Sequence, residues 1–181
     1  MNKAQNFDGD RHWYAIYTRP RFEKKIDAEL KRKNLHSFLP LHCVTRVWSD
    51  RIKKIQEPLF PSYLFVHANS RERYSALQST GVVRVVSFNG QPVRIPDDQI
   101  EGIYKIIKFG YNPEPYQYLN YGDEVEIVSG PLRGLRGYYI EERGHDTLAV
   151  SVHAIQQSLT IQLGRGLIRK VARGTRESPL V

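Results

Sequence analysis

The sequence of 181 residues contains almost no cysteine and no long apolar run. Cys43 is the one cysteine, which excludes an internal disulfide and a thiolate metal cluster. No apolar stretch approaches the roughly 18 residues that a membrane-spanning helix needs. The polar N-terminus, MNKAQNFDGD, lacks the apolar core of a secretory signal peptide. We therefore expect a cytoplasmic protein with no membrane association.

Motifs for catalysis and cofactor binding are also missing. The histidines form neither an HExxH motif nor an H-x-x-x-H pair, and the glycine-rich segment 130–137 lacks the Lys-Ser/Thr ending of a phosphate-binding loop. The adjacent His42 and Cys43 could suggest a metal site or a nucleophile, but a small buried strand cysteine is the favoured interpretation. The sequence therefore predicts no enzyme, no metal and no cofactor.

The charge of the chain is unevenly distributed. There are 27 Lys and Arg against 19 Asp and Glu, a net charge of +8. Residues 1–110 hold 19 basic and 11 acidic residues, which gives all of the +8, whereas residues 111–181 hold 8 of each. An excess confined to one part of the chain indicates that this part meets a polyanion.

A helix predicted over Pro20–Asn34 sorts its side chains by type. Phe22, Ile26 and Leu30 recur every four residues and form the buried edge. On a helical wheel with Phe22 at the origin, basic residues occupy an arc from about 180° to 300° that contains no acid. A solvated face is the ordinary alternative, but such faces usually mix both signs of charge. We predict nucleic-acid contact through the basic residues of this helix and its approach, namely Arg19, Arg21, Lys24, Lys25 and Arg32.

The other elements of the N-terminal part follow from local pattern. Aromatic and β-branched runs predict strands at His12–Thr18, Phe38–Trp48, Leu59–Ala68 and Val82–Phe88. The charged segment Ser49–Glu57 is predicted as a turn or hairpin tip, and Asn89-Gly90 as a tight turn. Arg71–Gln78 is predicted as a short helix, and a longer helix is predicted to start at Pro96-Asp97-Asp98.

The strand at Leu59–Ala68 is apolar on both faces. Phe60, Leu64 and Val66 alternate with Tyr63 and Phe65, so both faces need a cover. The predicted helices supply one cover, and the second is either another part of this chain or a partner protein.

The C-terminal part changes in composition. Residues 111–121 have no apolar period and are predicted as a linker. Residues 122–171 alternate apolar and polar positions between glycines, which favours a small β-barrel. Residues 172–181 are predicted to be a loose polar tail. The chain then divides into a domain at residues 12–110, the linker, the barrel and the tail.

Several segments in this order resemble the NusG family. The resemblance to its N-terminal NGN domain is carried by Trp13–Thr18 (WYAIYT), Glu57–Val66 (EPLFPSYLFV), Thr80–Phe88 (TGVVRVVSF) and Ile95–Ile100 (IPDDQI). Gly122–Ile140 (GDEVEIVSGPLRGLRGYYI) is similar to a KOW motif, with Gly137 at the position of its glycine. The stretch Trp48–Val66 is most similar to specialised paralogs of the RfaH and UpxY kind, and UpxY-like proteins act on capsular polysaccharide operons.

The resemblance implies a fold and a mechanism. The fold is α+β: an NGN α/β sandwich with an antiparallel sheet, linked to a small SH3-like KOW β-barrel. The implied function is a monomeric transcription elongation and antitermination factor, which docks on the β′ clamp helices of RNA polymerase and suppresses pausing or termination. The implied KOW partners are ribosomal protein uS10 and the termination factor Rho. Because the C-terminal segments favour strands, they fit a permanent barrel rather than the helical hairpin of RfaH.

The resemblance also assigns residues by motif position. Phe60, Tyr63, Phe65 and Phe88 would form the patch that docks on polymerase. Arg19, Lys25 and Arg32 fall where an RfaH-like factor contacts the non-template DNA strand. The segment Arg71–Gln78 lacks the Thr-rich run that touches the polymerase β gate loop, and Ser75 is the nearest equivalent.

Two other interpretations stay open beside the specialised paralog. A housekeeping NusG would share the fold and the docking patch but bind polymerase without sequence preference. A ribosome-associated RNA-binding protein with a KOW domain would carry its basic excess in the KOW part, which is neutral here.

Overall fold

The computed structural model describes residues 9–48, 51–120, 122–142, 145–164 and 167–171. They form a mixed α/β fold with antiparallel sheets. The helices are α1 (Glu23–Arg32), α2 (Ser70–Leu77) and α3 (Asp97–Lys108). The N-terminal strands are β1 (His12–Thr18), β2 (His36–Phe38), β3 (Leu41–Val47), β4 (Ile52–Pro58), β5 (Tyr63–Ala68), β6 (Val82–Val85), β7 (Ser87–Phe88) and β8 (Gln91–Pro92). The later strands are β9 (Glu114–Tyr116), β10 (Glu124–Ile127), β11 (Arg136–Glu142), β12 (His145–Val152), β13 (Gln157–Gln162) and β14 (Ile168–Lys170).

The N-terminal sheet has the strand order β2-β5-β1-β6. The central pair, β1 and β5, is antiparallel and places Tyr17 opposite Tyr63. Helices α1 and α2 cover one face of this sheet. There Ile26 and Leu30 of α1 join Ile16, Leu64 and Val66 in one buried cluster. The predicted apolar edge of the first helix is therefore confirmed.

The opposite face of the N-terminal sheet is covered from within the chain. Ala15 and Phe65 pack in a second buried cluster with Ile103 of α3. The same cluster continues into the C-terminal sheet through Leu135 and Leu148. The strand that needed a cover on both faces has α1 and α2 on one side, and α3 and the C-terminal sheet on the other.

Local structure differs from prediction in several places. The helix predicted over Pro20–Asn34 is α1 (Glu23–Arg32), the strand predicted over Leu59–Ala68 begins only at Tyr63, and that over Val82–Phe88 is divided between β6 and β7.

The single strand predicted over Phe38–Trp48 is split in two, because residues 39–40 separate β2 from β3. Ser49–Glu57, predicted as a turn or hairpin tip, does belong to a hairpin, but from Ile52 onward it is strand β4 paired with β3 rather than a turn. Cys43 lies on a strand as expected but is exposed, so its predicted burial is wrong.

The predicted turn at Asn89-Gly90 is confirmed. Both residues have positive φ, 49° and 77°, and they join β7 to β8. Asparagine and glycine tolerate this left-handed backbone better than other residues do, which explains the choice of this pair in a two-residue hairpin loop.

The C-terminal strands form a six-stranded antiparallel sheet in the order β14-β10-β11-β12-β13-β9. Among the described residues, its two end strands pair with no second neighbour, so the closed barrel of the prediction is not formed here. The predicted linker is partly structured, because its residues Glu114–Tyr116 form β9 and pair with β13. A Cβ at Gly137 would collide with the backbone oxygen of Ala149 on β12, so glycine fits this position. The predicted tail lies outside the described residues.

Candidate functional site

Helix α1 is fixed to the sheet along its length. Ile26 and Leu30 are fully buried beneath it. At its first turn, the Glu23 side chain is also buried, and its Oε1 accepts a hydrogen bond of 2.8 Å from the backbone N–H of Ser62. A helix anchored in this way presents a defined outer face, which here is the basic one.

The five basic residues predicted to contact nucleic acid are all exposed: Arg19, Arg21, Lys24, Lys25 and Arg32. Arg21 has a positive φ of 67°, at the point where the chain turns into the helix. The Lys25 ammonium lies 5.7 Å from the centroid of the Phe22 ring. Within the described chain, the side chains of Arg19, Arg21 and Arg32 make no ion pair, so their charges are available to an external anion.

Other lysines of α1 and its C-terminal end are neutralised locally. Lys31 pairs with Asp27 at 2.8 Å, and Lys33 pairs with Glu29 at 2.9 Å. The hydrogen bond from Lys33 holds the pKa of the Glu29 carboxyl below its ordinary value. Lys31 and Lys33 are therefore neutralised by acids of the helix, whereas Arg19, Arg21 and Arg32 keep their charges uncompensated by the described residues.

Lys24 connects α1 to the β3–β4 hairpin. Its ammonium donates a 2.7 Å hydrogen bond to the backbone oxygen of Gln56 on β4. This contact brings the basic face of the helix to the base of the hairpin. It also uses one donor of Lys24, while two others stay available because an ammonium carries three.

The structure separates the four aromatic residues predicted to form a docking patch. Phe60 and Phe65 are 1% and 0% exposed, with their rings edge to face at 5.8 Å. They belong to the core shared with α3 and the C-terminal sheet, so in this conformation they do not form an exposed patch. Tyr63 is half-buried and Phe88 is 73% exposed. Of the two covers that the sequence left open for the Phe65 face, another part of the chain or a partner protein, the first is the one present here.

Tyr63 belongs to a row of side chains across the sheet. Its ring lies 5.3 Å from that of Tyr17 on β1, and the guanidinium of Arg84 on β6 lies 5.6 Å from the Tyr17 ring. Aromatic residues with a neighbouring arginine are the side chains most enriched at energetically important protein contacts. Tyr63 in this row and the exposed Phe88 are the accessible members of the predicted patch.

A group of rings lies at the other end of the same sheet face. Trp13 contacts His36 and His67, with ring centroids 5.0 and 5.1 Å away. Burial, together with the nearby His36, lowers the pKa of His67. No group of three or more potential metal ligands occurs among the described residues, and none of the helices described here could cross a membrane.

The hairpin tip was not among the predicted site residues. Val47, Trp48 and Ile52 are 74%, 49% and 71% exposed at the end of β3 and the start of β4. Large apolar side chains displayed together at one tip are unusual on a monomeric surface. The sequence carried little signal for this tip, because the apolar residues Ile52 and Ile55 are three positions apart among charged and polar residues and do not alternate as in a strand.

Comparison with known proteins agrees with this architecture. The family model described as NusG, transcription termination factor nusG, matches residues 11–104, which is more than half of the chain. The transcription termination/antitermination protein NusG of Rickettsia conorii is 23% identical over 176 residues, covering 88% of this chain and 90% of the relative. The protein of the same name from Lactococcus lactis is 23% identical, covering 85% of this chain and 90% of the relative.

Among solved structures, NusG from Thermotoga maritima, solved in work on its domain interaction, has a similar fold. It is 23% identical, covers 90% of this chain and 98% of the other, and has a TM-score of 0.56. The likeness at this identity concerns the fold. With the family match across the sheet, α1 and most of α3, it leads to one assignment: the chain belongs to the NusG family.

Proposed function

We propose that the chain is a transcription elongation and antitermination factor that binds RNA polymerase and the non-template DNA strand. The resemblance directs the polymerase contact to the β′ clamp helices. The relatives that carry the name transcription termination/antitermination protein support this class of function. Nothing in the proposed action requires covalent chemistry, because a factor that binds one polymerase state more tightly shifts the equilibrium toward it.

One observation carries the nucleic-acid part of the proposal. Arg19, Arg21 and Arg32 are exposed, and their side chains make no ion pair with the described residues. Lys31 and Lys33, at the C-terminal end of the helix, are instead paired with acids. A surface built only for solubility would gain nothing from this separation. Phosphates are the ligand that uncompensated guanidinium groups at and before this helix fit best.

The polymerase contact is proposed to rest on the accessible aromatic residues. Tyr63, supported by Tyr17 and Arg84, and the exposed Phe88 are the proposed anchors. Phe60, which precedes β5, and Phe65 on β5 belong to the core cluster against which Tyr63 packs. Any direct contact of these two with polymerase requires the C-terminal sheet to leave the face that it covers.

The finer proposal is an operon-specific factor of the RfaH and UpxY kind, with a capsular polysaccharide operon as the target class. It rests on the likeness of Trp48–Val66 to those paralogs. Within the same resemblance, Ser75 is the proposed point of contact with the β gate loop. Ribosomal protein uS10 and Rho are the proposed partners of the C-terminal domain.

A gel shift on reconstituted elongation complexes tests the proposal. The scaffolds share one duplex and differ only in the exposed non-template sequence. Binding to a single sequence would support the operon-specific factor, and equal binding to every scaffold would support a housekeeping NusG. A chain that binds no scaffold, either whole or truncated after residue 110, would contradict the proposal.

The ribosome-associated alternative makes a different prediction. It requires the C-terminal part to bind RNA, yet residues 111–181 have no net charge. Binding of ribosomal RNA by the chain without any binding to the elongation complex would favour that alternative.

A further inference from the structure

The β3–β4 hairpin extends from the body of the domain. Its two strands pair with each other and with no other described strand. Exposure rises along it: Leu41 and Pro58 at its base are half-buried, whereas Val47 and Ile52 near its end are more than two-thirds exposed. The outer end is therefore a surface without a cover from the rest of the described chain.

The tip combines a flat aromatic ring with apolar neighbours. Trp48 and Arg51 exchange backbone hydrogen bonds of 2.9 and 3.3 Å, which closes the hairpin. The Arg51 guanidinium lies 5.2 Å from the Trp48 ring and helps to orient it. Val47 and Ile52 are the next cross-strand pair. Arg51 therefore holds the indole in place while half of it faces solvent, and Val47 and Ile52 lie on the opposite face of the ribbon.

Positive charge follows the apolar tip along β4. Lys53 and Lys54 are adjacent in sequence, so they point to opposite faces of the ribbon. Both are exposed, and neither forms an ion pair with a described residue. At the base of the same strand, Lys24 of α1 binds the Gln56 backbone oxygen. The basic surface of α1 thus continues along the hairpin toward its tip.

We propose that the tip of the β3–β4 hairpin is a second nucleic-acid contact, which binds a single strand by stacking an unpaired base on Trp48. Lys53, on the ribbon face shared with Trp48, contacts a phosphate beside that base, and Lys54, on the opposite face, contacts a phosphate farther along the strand where it passes over the ribbon. An aromatic platform flanked by basic side chains is the arrangement by which proteins bind single strands without reading sequence. A single strand is favoured over a duplex because only an unpaired base offers its whole face to the indole.

This inference goes beyond the proposed function. It concerns a different element from α1 and needs no polymerase. The apolar tip could instead serve a protein partner, but the unpaired lysines beside it favour a polyanion.

Fluorescence anisotropy with labelled homopolymers of about 15 nucleotides tests the proposal, because this length spans a typical single-strand site. An oligo-dT strand and an oligo-U strand distinguish DNA from RNA as the source of the unpaired base. Trp48→Ala should weaken binding of the favoured strand by about 5- to 150-fold, the range that corresponds to loss of one base–aromatic stack. Trp48→Phe keeps an aromatic face and should restore most of the affinity.

The lysines are tested by salt dependence. The slope of log affinity against log salt is negative, and each single-strand phosphate contact contributes about 0.7 to its magnitude. The double substitution Lys53→Ala and Lys54→Ala should therefore make the slope shallower by about 1.4. Lys105→Ala with Lys108→Ala removes two exposed lysines from α3 and is the matched control. The slope of this α3 variant should be closer to that of the unmodified chain than the slope of the hairpin variant is.

Several outcomes would overturn the proposal. The unmodified chain could bind neither strand, or Trp48→Ala could bind the oligonucleotide as tightly as the unmodified chain does. The third outcome is a change of the salt slope in the α3 control as large as in the hairpin variant. Weaker binding of Trp48→Ala to polymerase free of nucleic acid, with unchanged oligonucleotide affinity, would make the tip a protein contact. Because these assays use free oligonucleotides, their failure is distinct from failure of the elongation-complex experiment.

Discussion

The buried carboxylate of Glu23 accepts a 2.8 Å hydrogen bond from the backbone N–H of Ser62, and so joins the start of α1 to the start of β5. Ser62 has a φ of 65°, in the left-handed region that non-glycine residues rarely occupy. The next residue is Tyr63, one of the two proposed anchors of the polymerase contact. One hydrogen bond thereby fixes the basic helix and the aromatic strand relative to each other.

Glu23→Ala should destabilise the fold by about 1–3 kcal/mol, because it leaves the Ser62 N–H without its charged acceptor. Glu23→Gln keeps an oxygen acceptor at the same position and should lose less. Urea unfolding measures both variants. Equal stability of Glu23→Ala and the unmodified chain would show that the hydrogen bond does not hold these elements together.

Tyr63→Ala and Phe88→Ala should each weaken binding to RNA polymerase. Loss of an anchor residue at a protein interface costs about 2 kcal/mol, or roughly 30-fold in affinity, and we expect the larger of the two losses to reach this size. Isothermal titration with core polymerase gives the affinity. Tyr104→Ala on α3 removes an aromatic side chain that is 52% exposed and is the control. If all three variants bind equally well, the proposed anchors do not contact polymerase.

Lys25→Ala combined with Arg32→Ala should weaken recruitment to the elongation complex and reduce its salt slope by about 1.4, for two single-strand phosphate contacts. The paired Lys31 is the internal control on the same helix, since its ammonium already binds Asp27. Binding measured across several salt concentrations gives the slopes. A solvated helix face would give identical slopes for all the variants.

Gly102 is the point of close approach between α3 and the C-terminal sheet. A Cβ there would lie 2.6 Å from Cδ1 of Leu135, so a larger side chain must displace Leu135. We expect Gly102→Val to loosen this contact and increase the radius of gyration measured by X-ray scattering. Glu101→Ala, at an exposed neighbouring site, should leave the radius unchanged. A compact Gly102→Val would mean that Leu135 adjusts without moving the sheet.

His67 gives the stability a dependence on pH. Burial and the nearby His36 lower its pKa in the folded protein, so the folded state resists its protonation. Its contribution is therefore fully present above the unfolded pKa of about 6.5 and is lost as the pH falls through the lower folded value. His67→Phe keeps a ring beside Trp13 and should lose less stability between pH 7 and pH 5 than the unmodified chain does. Parallel urea curves for both proteins at about these two pH values test this.

Periodicity in the sequence was enough to predict most of the helices and strands of the N-terminal part. The spacing of Phe22, Ile26 and Leu30 predicted which edge of α1 is buried, because an apolar stripe must face the sheet. The turn at Asn89-Gly90 was predictable because few residues accept two consecutive positive φ values. Strand β4 was missed because its apolar residues, Ile52 and Ile55, are three positions apart and lack the alternation of a half-buried strand.

The sequence by itself determined the elements, the sorting of charge along α1 and the need of β5 for a cover on both faces. It could not determine what supplies that cover, because burial depends on contacts between residues far apart in the chain. Only the tertiary structure decided that Phe65 packs with Ile103 and Leu148, while Phe88 stays exposed. For the same reason it alone revealed the tip at Trp48: a strand's exposure depends on which neighbours the rest of the fold leaves beside it.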